Sequence, residues 1–188
     1  LAPTDLSGQN PDPAKAPHVI NNSWGCPTSE GCSSGNWETM RQAVANLTAA
    51  GVLVVVSAGN GGDDDLVNNP SGCATVNDPP AIFAESFSVG AFGSSTGAIA
   101  TFSSRGPVTI DGSGRMKPEI AAPGVNVRSS TYGSDTAYGT MSGTSMAGPH
   151  VAGAAALLMS AVPQLKRQPA LVRQYLTQSA TAVSSTTC

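Results

Sequence analysis

Charge is scarce in this chain of 188 residues. Lys, Arg, Asp and Glu together make up 11% of it, against roughly a quarter of an average globular protein. The nine basic residues form no run and the formal net charge is -3, which argues against a nucleic-acid partner, because no basic patch is there to hold a phosphate backbone. Aromatics make up only 5%, and the histidines number two, His18 and His150. Long apolar runs are also missing. The longest, Ala154 to Met159, is far short of the roughly 20 residues that cross a bilayer as a helix, so no membrane partner is expected. There is no leader pattern, and the first residue is Leu1 rather than Met. The expectation is a processed or truncated product, or a fragment.

What remains is ample for one compact unit. Some 40% of residues are hydrophobic, and 21 Gly with 14 Pro predict many turns and close backbone approaches. A weakly charged surface rich in Ser and Gly fits a secreted protein. The four cysteines are Cys26, Cys32, Cys73 and Cys188. Four cysteines admit three pairings, and sequence alone does not choose among them. The turn-rich stretch between Cys26 and Cys32 favours a local staple there, and a Cys73–Cys188 bond would pin the C-terminus. Free thiols are a second reading. A metal site is a third, poorly served by two isolated histidines.

The hydrophobic pattern predicts an α/β order. A short strand over His18–Ser23 is followed by a helix from Trp37 to about Ala50, with Ser34, Gly35 and Asn36 as candidate caps and Trp37, Met40, Val44 and Leu47 on one face. The continuous apolar run Val52–Val56 is the kind of strand buried on both faces of a parallel sheet. Further strands are expected at Ser86–Ala91, Ile99–Phe102, Ile120–Ala122 and Val125–Val127. Helices are expected from Thr144 to about Ala161, and from Gln168 to about Ser179 with Leu171, Val172, Tyr175 and Leu176 on one face. Asp63-Asp64-Asp65 reads as a solvated surface, with a calcium loop as the rival reading.

The densest chemistry lies at Ser142 to Gly153, Ser-Gly-Thr-Ser-Met-Ala-Gly-Pro-His-Val-Ala-Gly. Ser145 stands where a long apolar helix begins. The helix dipole and free N–H groups there favour a developing negative charge, although a serine in that place also serves as a plain helix cap. A second segment, Ser57-Ala58-Gly59-Asn60, follows the buried strand. Taken alone, its Gly-Asn pair is an ordinary turn.

Together these strings resemble the subtilisin-like serine proteases. Gly143-Thr144-Ser145-Met146-Ala147 and Pro149-His150-Val151-Ala152-Gly153 match the family's nucleophile motif position by position, with Gly148 where many relatives carry Thr. Val19 to Gly25, Phe102 to Pro107 and Lys117 to Val125 also resemble family segments. The resemblance implies a three-layer αβα fold with a mostly parallel sheet. It makes Ser145 the nucleophile and Asn60 the side-chain oxyanion donor. Ser23, Trp24, Gly25, Ser57, Ala58 and Gly59 become walls of the primary specificity pocket, beside an edge to which substrate adds as an antiparallel strand. His150, inside the helix, reads as a packed and hydrogen-bonded structural residue.

The family's Asp-Thr/Ser-Gly and His-Gly-Thr segments, which supply the rest of the triad, do not occur in this sequence. His18, Asp5 and Asp12 lack those contexts. The fold is therefore expected to be incomplete on its N-terminal side, with residues 1–17 an exposed loop or nicked end and 18–188 the C-terminal portion of the peptidase domain. The expected partners are a protein or peptide substrate and an N-terminal fragment of the same precursor carrying the Asp and His. The expected function is a serine endopeptidase acting through an acyl-enzyme, with this chain inactive alone. The alternative is an inactive peptide-binding fragment or pseudoprotease. No organic cofactor is implied. Structural calcium is allowed by the resemblance, with Glu119 a candidate ligand. Because the matched pocket segments hold no acidic residue, an aromatic or aliphatic side chain is expected before the cut.

Overall fold

The computed structural model describes residues 2–182 and 188. Four strands, β1 (Val19–Asn22), β2 (Leu53–Ser57), β3 (Phe87–Phe92) and β4 (Ile120–Pro123), pair in parallel in the order β1-β2-β3-β4. A hairpin of β5 (Val127–Ser130) and β6 (Tyr138–Met141) follows. It leads into helix α2 (Thr144–Ala161), and α3 (Pro169–Ser179) closes the chain of elements. Helix α1 (Trp37–Ala49) is the crossover between β1 and β2.

Strand β2 explains the layering. It lies between β1 and β3 and all five of its residues are buried. Successive side chains of a strand point to opposite faces, so Leu53 and Val55 join Phe87, Val89, Ala147, Val151 and Val172 in one core under α2 and α3. Val54 and Val56 join Val44, Val76, Ile82 and Val108 in a second core, against which Trp37, Met40 and Leu47 of α1 pack. The result is a parallel sheet between helical layers, the αβα arrangement the resemblance implies.

Several local expectations need correction. Ile99–Phe102 is not a strand. Ile99 makes one isolated bridge to Phe92, and the chain then turns. The strand expected at Val125–Val127 instead begins at Val127, and its partner β6 carried too few apolar residues to be foreseen. Asn36 precedes α1 without capping it: its side chain turns back to accept from the Ser33 N–H and donate to the Gly31 carbonyl. On α3, Val172 and Leu176 face the core, while Leu171 and Tyr175 stay 42% and 51% exposed. The inward stripe of that helix is thus narrower than the four apolar residues suggested.

Two disulfides, Cys26–Cys32 and Cys73–Cys188, are formed. Cross-linking limits the unfolded chain more as the closed loop grows. The sequence separations are 6 and 115, which correspond to about 2 and about 5 kcal/mol by the loop-entropy relation. Replacing Cys73 and Cys188 with Ser is therefore expected to lower the urea midpoint far more than the same change at Cys26 and Cys32. Equal effects of the two replacements in urea titrations would contradict this account.

Candidate active site

In a parallel sheet, functional groups collect beyond the carboxyl ends of the strands. Here the segments leaving β1 and β2 meet the N-terminus of α2 at that end. Gly143 permits the junction. Its φ of 155° and ψ of 160° form a combination open essentially to glycine alone, and its N–H donates to the Gly124 carbonyl. Thr144, fully buried, and Ser145 then form the first turn of α2.

Ser145 and the end of β1 are tied together. The Ser145 hydroxyl donates to the Ser23 carbonyl at 3.3 Å, and the Ser23 hydroxyl donates to the Ser145 carbonyl at 2.9 Å. Asn21 Nδ2 donates to Ser23 Oγ. A Cβ on Gly148 would lie 2.8 Å from Asn21 Oδ1, so the absence of a side chain there lets α2 approach β1 this closely.

Asn60 is oriented by Thr144. Its Oδ1 accepts from both the backbone N–H and the hydroxyl of Thr144, each at 2.9 Å. With the amide oxygen held, Nδ2 faces the Gly143 turn, 3.6 Å from where a Cβ on that glycine would sit. Among the described residues, neither Asn60 Nδ2 nor the Ser145 N–H has a protein acceptor. Two unspent donors therefore meet at the Gly143 turn, on residues that line one cavity.

These groups border a cavity of about 200 Å³ whose lining includes Trp24, Gly25, Ser57, Ala58 and Gly59 together with Asn60 and Ser145. Five of the six expected wall residues are thus gathered around it. Ser23 is instead engaged with Ser145. The same lining holds Asp78, from the loop that returns to β3. The expectation of an aromatic or aliphatic partner rests on matched segments that hold no acidic residue, and the lining adds one from outside them. Asp78 carries no motif signal, because it lies outside each of the segments that resemble the family.

The histidines stand apart from Ser145. His18 precedes β1, at the amino end of the sheet, and its carbonyl pairs with the Leu53 N–H. Burial first, then the charges of Arg167 and Lys166, hold its imidazole below the ordinary value. His150 is exposed, contrary to the packed role expected, although its Nδ1 does meet the Met146 carbonyl at 2.9 Å. Among the described residues, no imidazole hydrogen-bonds the Ser145 hydroxyl.

Glu119 does not fit a calcium ligand. Its Oε1 accepts from Lys117 at 2.6 Å and from Arg173 at 2.7 Å, and its Oε2 accepts from the Ser88 N–H. Two cations and a backbone donor already satisfy it. Lys117 is almost fully buried, and that burial pulls its ammonium down to about 8 against the opposing pull of Glu119. Asp63 accepts from Thr101 and Asp65 from Asn68. Among the described residues, no three His, Cys, Asp or Glu side chains converge as a metal site.

Comparison with known proteins agrees with this geometry. A family profile described as "Subtilase family" matches residues 6–188. Bacillopeptidase F of Bacillus subtilis (strain 168) is 44% identical over 161 residues, which cover 86% of this chain and 10% of that protein. Subtilisin DY of Bacillus licheniformis is 39% identical, over 87% of this chain and 49% of the relative. Among solved structures, a cold adapted subtilisin-like serine proteinase superposes with a TM-score of 0.66 at 29% identity, over 90% of this chain and 50% of that one. The chain thus spans about half the length of subtilisin relatives, and a tenth of the longer one.

Proposed function

Because the chain belongs to the subtilase family, we propose that it is the nucleophile-bearing portion of a serine endopeptidase. The observation that carries this reading is the pair of unspent donors, Asn60 Nδ2 and the Ser145 N–H, beside the Ser145 hydroxyl. As the hydroxyl attacks a peptide carbonyl, charge develops on the carbonyl oxygen. Preorganised donors then stabilise the transition state without reorganising. The hydroxyl proton passes to a base and on to the departing amine as the C–N bond breaks. Water then hydrolyses the acyl-Ser145 ester.

The base in this proposal is a histidine, oriented by an aspartate, on the polypeptide that precedes β1 in the complete protease. The exposed segment Ser23-Trp24-Gly25 beyond β1 offers the edge on which a substrate peptide extends as an added strand. No helix among the described residues is long and apolar enough to cross a membrane. Two disulfides suit an oxidising, extracellular setting. The lack of an imidazole on Ser145 favours a second reading, an inactive peptide-binding fragment.

One experiment separates the two. A fluorophosphonate probe is expected to add to Ser145 in the complete protease, as read by peptide mass spectrometry, and to leave a Ser145→Ala variant unmodified. Failure to label the parent protein at Ser145 would overturn the endopeptidase reading in favour of the binding fragment.

A further inference from the structure

We infer that Asp78 makes the cavity beside Ser145 a receptor for a cationic side chain, so that the peptidase cuts after Lys or Arg. The inference rests on the endopeptidase reading for its chemistry and on the cavity itself for its charge.

Among the described residues, Asp78 is the single charged side chain in the lining of this cavity. Its neighbours there, Gly25, Ser57, Ala58 and Gly59, are small and uncharged. Gly25 contributes by omission. A Cβ on it would lie 3.3 Å from the Asp78 Cβ and 3.9 Å from its Oδ2, so the missing side chain leaves the carboxylate open to the space in front of it.

The carboxylate is also placed rather than loose. The Asp78 carbonyl accepts from the Ala81 N–H at 3.1 Å, and the next carbonyl, Pro79, accepts from the Cys26 N–H at 2.8 Å. The second bond ties the Asp78 loop to the disulfide-stapled loop that follows β1. Both walls of the cavity are thus fastened to each other.

Yet the carboxylate has no partner within the protein. Among the described residues it makes no ion pair and accepts no hydrogen bond, whereas the carboxylates of Asp5, Asp111, Glu38, Glu85 and Glu119 all have partners. Partial burial, then the charge of Glu30 in the stapled loop, push its carboxyl above the ordinary value. A half-buried, unpaired anion costs stability, and such costs concentrate where a ligand supplies the missing charge. An ammonium or guanidinium entering the cavity gains a charge-assisted hydrogen bond. A phenyl or isobutyl group would desolvate the carboxylate and leave it unmatched, the arrangement by which polar sites reject apolar substrates most strongly.

The test uses the complete protease that contains this chain. Four peptide p-nitroanilides differing only in a final Lys, Arg, Phe or Leu are compared by kcat/KM, and p-aminobenzamidine binding is followed by its fluorescence. The Lys and Arg substrates are expected to exceed the others by at least about tenfold, and Asp78→Asn to lower the Lys-to-Phe ratio by about 100-fold. Asp78→Asn is also expected to abolish p-aminobenzamidine binding. Neutralising a carboxyl whose native pKa is raised removes a penalty that grows as pH rises from the ordinary carboxyl value to the raised one and is complete above it. The variant should therefore melt no lower than the parent at neutral pH.

Preference for Phe or Leu together with no p-aminobenzamidine binding overturns the inference and leaves the endopeptidase reading standing. Dye binding that depends on Asp78, with no peptide hydrolysed at all, does the reverse. Neither binding nor hydrolysis overturns both. The substrate ratio and dye binding of the unsubstituted protein decide the matter even if the variant does not fold.

Discussion

Assayed apart from any polypeptide that supplies a histidine to Ser145, the chain is expected to hydrolyse peptide amides about a million times more slowly than the complete protease. That factor is the one established for loss of the base in subtilisin, a member of this family. The physical reason lies in the proton. A serine hydroxyl near neutral pH is a weak nucleophile unless a base takes its proton during attack. Here that proton points to the Ser23 carbonyl at 3.3 Å, an acceptor far too feeble to remove it. Asn60 Nδ2, the Ser145 N–H and the cavity remain, so slow turnover above the uncatalysed rate is expected to survive. The measurement is steady-state hydrolysis by the isolated chain, with Ser145→Ala as its baseline. Rates within tenfold of the complete protease would show that the chain contains its own base.

Asn60→Ala is expected to lower kcat by about 100- to 1,000-fold with little change in KM, again the magnitude known from subtilisin for removal of such a donor. The split follows from timing. In the proposed mechanism Asn60 Nδ2 would meet an oxyanion that develops as the tetrahedral intermediate forms and is absent from bound substrate, so ground-state affinity is spared. Thr144 acts behind it. Both its N–H and its hydroxyl hold Asn60 Oδ1, and removing one such bond is worth about 1 kcal/mol. Thr144→Val should therefore lower kcat a few-fold through Asn60, and Thr144→Ser, which restores the hydroxyl, should recover it. A general loss of packing would instead raise KM and be indifferent to the hydroxyl. Single-turnover kinetics on the three variants distinguish the two.

The order of strands and helices was readable because period and composition agree. Val52 to Val56 has no polar interruption, and the structure buries β2 completely. Trp37, Met40, Val44 and Leu47 recur at helical spacing and pack together on the second core. The hairpin was hidden because β6 is mostly exposed and carries its pairing in backbone bonds. Ser145 and Asn60 stood out through long motifs. Asp78 did not, because its significance lies in standing against Gly25 in the lining of one cavity, and sequence distance says nothing of that. The brace between Thr144 and Asn60, residues 84 apart in the chain, was invisible for the same reason.

The Cys73–Cys188 bond also has a topological consequence. It turns the stretch between its ends into a covalent ring that encloses Asp78 and Ser145 and leaves Ser23 and Asn60 on the arm outside. One backbone cut within that ring releases nothing. The two pieces stay joined as a single molecule until the bridge is reduced, and only a second cut within the ring sets a fragment free. A single nick inside the ring therefore costs a peptide bond without parting Ser145 covalently from Ser23 and Asn60 on the arm.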